Sequence, residues 1–274
     1  MTTSDQDAVR ALVRWYAEMG VDEIVGTSPT DFYAWGPART PEAAPTPRRA
    51  RNPDANSKKP VFRPAPDAAP VSADEAIGRA ERVARAATTF EELEAAVVAF
   101  EGCPLKAGAT KTVFSDGVPG ADLLVIGEAP GRDEDRVGKP FVGRAGQLLD
   151  RMLAAIGRSR AENVLISNVI YWRPPGNRTP TQMETAVCRP FVDRLIELTA
   201  PKAVVLAGGA PLQALTGVTG IMRARGVWRE LETPSGARFP ALPIFHPAFL
   251  LRQPGNKRLA WADLLNLEAR LTES

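Results

Sequence analysis

The chain has 274 residues, 44% of them hydrophobic and 24% charged, with a formal net charge of +2. That balance is ordinary for a soluble globular protein and excludes a chain that is collagen-like or low-complexity throughout. No apolar run approaches the ~20 residues of a membrane helix, so no membrane partner is expected.

The N-terminal stretch MTTSDQDAVRALVRWYAEMG lacks the apolar core of a signal peptide, and a cytoplasmic location is expected. Within residues 6–25 the apolar positions Val9, Leu12, Val13, Tyr16 and Met19 recur at helical spacing. Residues 1–27 therefore read as an amphipathic helix. Residues 28–72 hold ten of the 25 prolines and little apolar periodicity, the composition of a linker. Its stretch from Arg48 to Arg63 carries Arg48, Arg49, Arg51, Lys58, Lys59 and Arg63 against one acid, Asp54, a local charge of +5. A solvated linker is the plain reading. A loose tether to a phosphate backbone is the functional one.

Residues 73–274 read as one α/β domain. Two helical stretches come first, SADEAIGRAERVARAA and TFEELEAAVVAF, with Ser72 and Thr88 as expected N-caps. Four short buried strands follow, ADLLVIG (121–127), NVLISNV (163–169), KAVVLAG (202–208) and LPIF (242–245). Helical segments alternate with them: AGQLLDRMLAAIG, TQMETAVCRPFVDRLIELTA, APLQALTG and finally KRLAWADLLNLEARL. Pro190 should kink or divide the second of these. The stretch from Arg223 to Phe245 reads as an irregular hairpin excursion. Alternation of this kind predicts a three-layer α/β/α domain around a central four-stranded parallel sheet.

In an open parallel sheet, ligands bind beyond the carboxyl ends of the strands. The unusual stretches of this chain all follow strands. GEAPGRDEDRVGKPFVGRAG follows the first, Asn168 and VIYWRPPGNRTP the second, GGAP the third, and HPAFLLR the fourth. The last contains His246, the chain's single histidine. A Walker-type phosphate loop would need lysine and Ser/Thr at a spacing that is absent here.

The motifs GEAPGRDEDRVGKPFVGRAGQLL, NVIYWRPPGNRTP and HPAFLLR resemble those of uracil-DNA glycosylases, specifically the family-four branch. The resemblance runs from about residue 100 to 268. It implies a monomeric enzyme that flips uracil out of DNA and hydrolyses its N-glycosidic bond, leaving an abasic site for base-excision repair. The alternative is a catalytically weak DNA-binding relative.

Carried over residue by residue, the resemblance puts His246 at uracil O2, Asn168 at the base edge, and Phe141 in a stack against the base. Gly127, Ala129 and Gly131, in the turn after the first strand, would be substrate-binding as well. An aspartate that positions water in the best-known members is replaced by Ala129, which leaves Glu128, Asp133, Glu134 and Asp135 as candidate carboxylates. Glu128 is the expected one. A structural role for Glu128, hydrogen-bonded to turn amides, is the alternative, and the later acids read as capping or solvated. Where those members exclude thymine with a tyrosine, this chain has Gly131. Leu250 or Leu251 would fill the gap left by the flipped base, one of the two being core. Arg252, Arg225, Lys257 and Arg258, with Arg223, are candidate phosphate contacts. Some relatives trap DNA covalently with a histidine after the second strand. This loop has none, so turnover is expected.

The family-four branch typically holds a four-iron cluster on four cysteines. Two positions match Cys103 and Cys188, and the other two are Phe100 and Trp172. Neither aromatic side chain can ligate iron, and four thiolates are the usual requirement. No metal and no cofactor is therefore expected. Phe100 and Trp172 should fill the space, with Cys103 and Cys188 close together and reduced.

Overall fold

The computed structural model describes residues 72–273. The N-terminal helix and most of the proline-rich linker read from sequence lie outside the described residues. Two helices open the described chain, α1 (Ala73–Ala86) and α2 (Phe90–Ala99). Ser72 caps α1 by accepting the Glu75 N–H at 3.2 Å. The cap of α2 is Thr89, which accepts the Glu92 N–H at 3.2 Å, and not Thr88. Thr88 instead gives its N–H and hydroxyl to the Glu92 carboxylate, at 2.7 and 2.8 Å. The adjacent threonines divide a reciprocal cap between them.

The sheet has six strands: β1 (Ser115–Gly117), β2 (Leu123–Gly127), β3 (Val164–Asn168), β4 (Ala203–Ala207), β5 (Arg229–Glu232) and β6 (Arg238–Ile244). Their order is β1-β3-β2-β4-β6-β5. The inner four are parallel, as expected. The edge strands β1 and β5 are antiparallel additions, so the sheet is mixed and six-stranded rather than four-stranded. The excursion after Arg223 is the β5–β6 hairpin.

The remaining helices are α3 (Arg132–Val137), α4 (Arg144–Ala154), α5 (Gln182–Thr199), α6 (Gly209–Thr216), α7 (Ile221–Ala224), α8 (Pro247–Arg252) and α9 (Lys257–Glu273). Residues of β2 through Ile126 are wholly buried and alternate between two cores. Leu124 and Ile126 share one core with Val187, Phe191 and Leu195 of α5, while Leu123 and Val125 share the other with Leu149 and Leu153 of α4 and Leu264 of α9. Burial on both faces explains why the central strands read as continuous apolar runs. Pro190 does not divide α5, which runs unbroken from Gln182 to Thr199. Val187, Phe191 and Leu195 on its inner face are buried without remainder, and that packing outweighs the missing hydrogen bond.

Among the described residues no helix is long and apolar enough to cross a membrane.

Candidate active site

A cavity of about 400 Å3 opens at the carboxyl ends of the parallel strands. Glu128, Phe141, Asn168 and His246 line it together, although 118 residues of chain separate the first from the last. Ala129, Gly131, Glu134, Arg178 and Arg252 are also part of its wall. Its size falls within the usual range of small-ligand pockets.

Asn168 ends β3 opposite Gly127 of β2. It is 2% exposed, and its Nδ2 has no hydrogen-bond partner. A buried donor left unpaired costs on the order of 1–3 kcal/mol, and this one belongs to a residue that lines the cavity. Gly127 makes the arrangement possible. A Cβ there would collide with Asn168 Oδ1 and come within 2.5 Å of Phe141 Cε2. The amide and the ring close over a backbone that cannot carry a side chain.

Phe141 has φ +53°, in the left-handed region, where a bulky residue is strained by about 1–3 kcal/mol. Glu134 helps to hold it: one carboxylate oxygen accepts the N–H groups of Val142 and Gly143, both at 3.0 Å. The other oxygen accepts the Gly131 N–H at 3.1 Å, at the start of α3. A side chain at position 131 would meet this carboxylate at 2.7 Å. Glu134 therefore fills the space that a larger residue at Gly131 would take. Asp135 is buried and accepts from Thr110 and Lys111, whereas Glu134 is half-buried and caps the start of α3.

His246 follows β6 and caps α8. Its Nδ1 accepts the Ala248 N–H at 3.1 Å, which leaves the ring proton on Nε2. Burial, and then the charge of Arg252, push its pKa down to about 4 against an opposing pull from Glu134. The imidazole is thus neutral, with an N–H to donate. Its ring faces that of Phe141, with centroids 5.6 Å apart and planes 27° off parallel. Beneath it Gly208 takes φ +108°, and a Cβ there would lie 3.1 Å from the His246 Cβ.

Glu128 is partly buried, and burial raises its carboxyl above the ordinary value. Its backbone carbonyl accepts the Ile170 N–H at 3.1 Å. The turn amides of Gly131, Val142 and Gly143 are held by Glu134, not by Glu128, which lines the cavity.

Two residues read as DNA contacts are placed otherwise. Leu250 is a core residue, 1% exposed, while Leu251 is only partly buried. Arg225 is no free phosphate contact. It pairs with Asp263, with Nε 2.7 Å from Oδ2, and covers the Phe245 ring at 5.4 Å. Arg252, Lys257, Arg258 and Arg223 are exposed.

Sequence reasoning did not single out Arg178, which pairs bidentately with Glu184 at 2.9 and 2.6 Å. That ion pair, with the Thr181 cap, holds the Glu184 carboxyl at about 2. The signal was present as a Thr-x-x-Glu capping box at Thr181–Glu184, but not the arginine it would recruit.

The cluster positions do not fit an iron–sulfur group. Cys103 and Cys188 are buried free thiols, and the neighbouring Cys103 together with burial pushes the Cys188 thiol well above its usual value. Phe100 is buried edge-on against Phe191, with centroids 5.0 Å apart. Trp172 is 1% exposed and donates its indole N–H to Thr112 Oγ1 at 3.0 Å. Two buried thiols beside two packed aromatic rings are not a four-thiolate donor set. No group of three or more potential metal ligands occurs among the described residues.

Residues 114–266 match the model of the uracil DNA glycosylase superfamily. Three type-4 uracil-DNA glycosylases are similar. The Sulfurisphaera tokodaii protein is 33% identical over 64% of this chain and 81% of its own length. The Thermotoga maritima protein is 38% identical over 59% of this chain and 84% of its own. The Archaeoglobus fulgidus protein is 41% identical over 53% of this chain and 75% of its own. A strand-end cavity with these four side chains, in a sheet of this topology, thus accompanies a match over more than half of the chain: the protein belongs to the uracil-DNA glycosylase superfamily and, within it, to the type-4 group.

Proposed function

We propose that this chain excises uracil from DNA by hydrolysing the N-glycosidic bond, leaving an abasic site, and that it acts as a cytoplasmic monomer. The supporting observation is the pairing, in one cavity, of the unpartnered Asn168 Nδ2 with a neutral His246 whose Nε2–H is free.

The target base must leave the duplex stack to reach such a cavity. There Phe141 stacks on it, and Asn168 donates to uracil O4 and accepts from N3–H, a pattern cytosine reverses. As the C1′–N1 bond breaks, its electron pair moves onto the ring and negative charge develops at O2. The His246 Nε2–H donates to that oxygen, and the bond strengthens as charge grows. Glu128 accepts a proton from the water that attacks C1′, so the sugar gains hydroxide and uracil leaves as its anion. Burial, which raises the Glu128 carboxyl, makes it a better base. Leu251 fills the vacated stack, while Arg252, Lys257 and Arg258 hold phosphates.

The test is alkaline strand cleavage of a uracil-containing duplex after incubation with the protein, with a thymine duplex as control. Cleavage at uracil alone is expected. Intact DNA at enzyme excess, with binding retained, would instead mark a DNA-binding relative without the chemistry.

A further inference from the structure

The strained loop that presents Phe141 is gripped from two sides. Glu134 takes the amides that follow the ring, and Arg160 takes the carbonyls before and at it. Arg160 lies in the loop between α4 and β3, 19 residues from Phe141. Its Nη1 donates to Pro140 O at 3.0 Å and its Nη2 to Phe141 O at 2.9 Å. The remaining three N–H groups go to carboxylates. Nη1 meets Asp116 at 2.9 Å, and Nε and Nη2 meet Asp150 at 2.9 and 2.7 Å. All five guanidinium donors are used, and no other side chain offers that fork.

The anchor is assembled from distant chain. Asp116 stands on the edge strand β1 and Asp150 on α4. Lys139 adds a second cation to Asp116 at 2.8 Å. Behind the loop, a Cβ on Gly146 would collide with the Phe141 carbonyl, so the backbone cannot retreat. With both polar edges of residues 140–143 held and the rear closed, the ring is confined over Gly127.

We propose that Arg160 is a positioning residue for base excision: it acts through the Pro140 and Phe141 carbonyls to hold the Phe141 ring where an extruded base stacks. The proposal rests on the reading of Phe141 as the stacking residue. Arg160 does not line the cavity, so removing it should misplace the ring without altering the phosphate-binding surface.

The experiment is a double-mutant cycle of Arg160→Gln with Phe141→Ala. It is read by single-turnover excision from a uracil duplex and by affinity for a duplex carrying an abasic site, which offers no base to stack. Arg160→Gln is expected to slow excision by about ten- to a hundredfold, the scale of a misplaced reacting partner. Affinity for abasic DNA should be unchanged. In the Phe141→Ala background Arg160→Gln should bring no further loss. Arg160→Lys keeps the charge beside Asp116 and Asp150 but cannot bridge both carbonyls. It should behave like the glutamine variant, and it carries the same cycle if that variant does not fold. Losses that multiply, abasic affinity falling in parallel, or wild-type excision by the Arg160 variants would each overturn the proposal. Wild-type excision by Phe141→Ala alone would instead overturn the stacking reading beneath it.

Discussion

His246 Nδ1 accepts the N–H of Ala248 at 3.1 Å, so the residue that caps α8 also presents its Nε2–H to the cavity. The helix start selects the tautomer, and burial keeps the ring neutral with a pKa of about 4. The pH dependence follows. His246 is in its neutral form above about 4, whereas Glu128, raised by burial, becomes the carboxylate only above its ordinary value. The acid limb of kcat/KM should therefore be set by Glu128. In Glu128→Gln the residual rate should stay flat to lower pH and fall only near 4, where His246 gains its proton. An unchanged acid limb in that variant would remove Glu128 from the chemistry.

His246→Ala and Asn168→Ala are each expected to lower single-turnover excision by at least about a hundredfold, the scale of losing one preorganised donor. The two should differ in stability. The Nδ2 of Asn168 is buried without a partner, so Asn168→Ala removes a penalty and should not lower Tm. Near wild-type rates in both would mean that the cavity is not the reaction centre.

Gly127→Ala tests the closeness of ring and amide. Its methyl would lie 2.5 Å from Phe141 Cε2 and would also collide with Asn168 Oδ1. Overpacking of this kind costs about 1–3 kcal/mol. A folded protein with a lower Tm and excision slowed by more than about tenfold is expected, because both base contacts move. An alanine variant with unaltered rate would show that neither contact matters.

Iron content tests the donor set. Anaerobically purified protein should be colourless, without absorption near ~400 nm and without stoichiometric iron, since only Cys103 and Cys188 offer thiols. Trp172→Ala should cost on the order of 3–5 kcal/mol, measured by denaturant unfolding, because that indole is an enclosed part of the core. A brown protein with about four irons per chain would overturn this account.

The basic stretch from Arg48 to Arg63, with a local charge of +5, is expected to add phosphate contacts. Deleting residues 1–70 should leave the single-turnover rate intact and lower non-specific DNA affinity, with a shallower salt dependence. A salt titration that superimposes on that of the full chain would rule the tether out.

The chain's local pattern was enough to place β2, β3, β4 and β6, because a strand buried on both faces is a short apolar run wherever it lies. Once those strands were placed, their carboxyl ends pointed to the stretches that hold Glu128, Asn168 and His246, and the family resemblance picked these residues out of them. The glycine and proline punctuation around Phe141 drew notice for the same local reason.

Tertiary structure alone decided the rest. The edge strands Ser115–Gly117 and Arg229–Glu232 are short and largely polar, and only pairing with a neighbour makes them strands. Leu250 and Leu251 are indistinguishable in sequence until α8 turns one inward. Arg225 looks like any surface cation until Asp263, 38 residues away, takes it. Glu134 and Arg160 hold the Phe141 loop through backbone groups, which carry no sequence signature, and Arg160 reaches an acid 44 residues distant. Hydrophobic periodicity is written residue by residue along the chain. The partner of a charge or a backbone carbonyl is set by where folding brings another segment, and no local spacing encodes that.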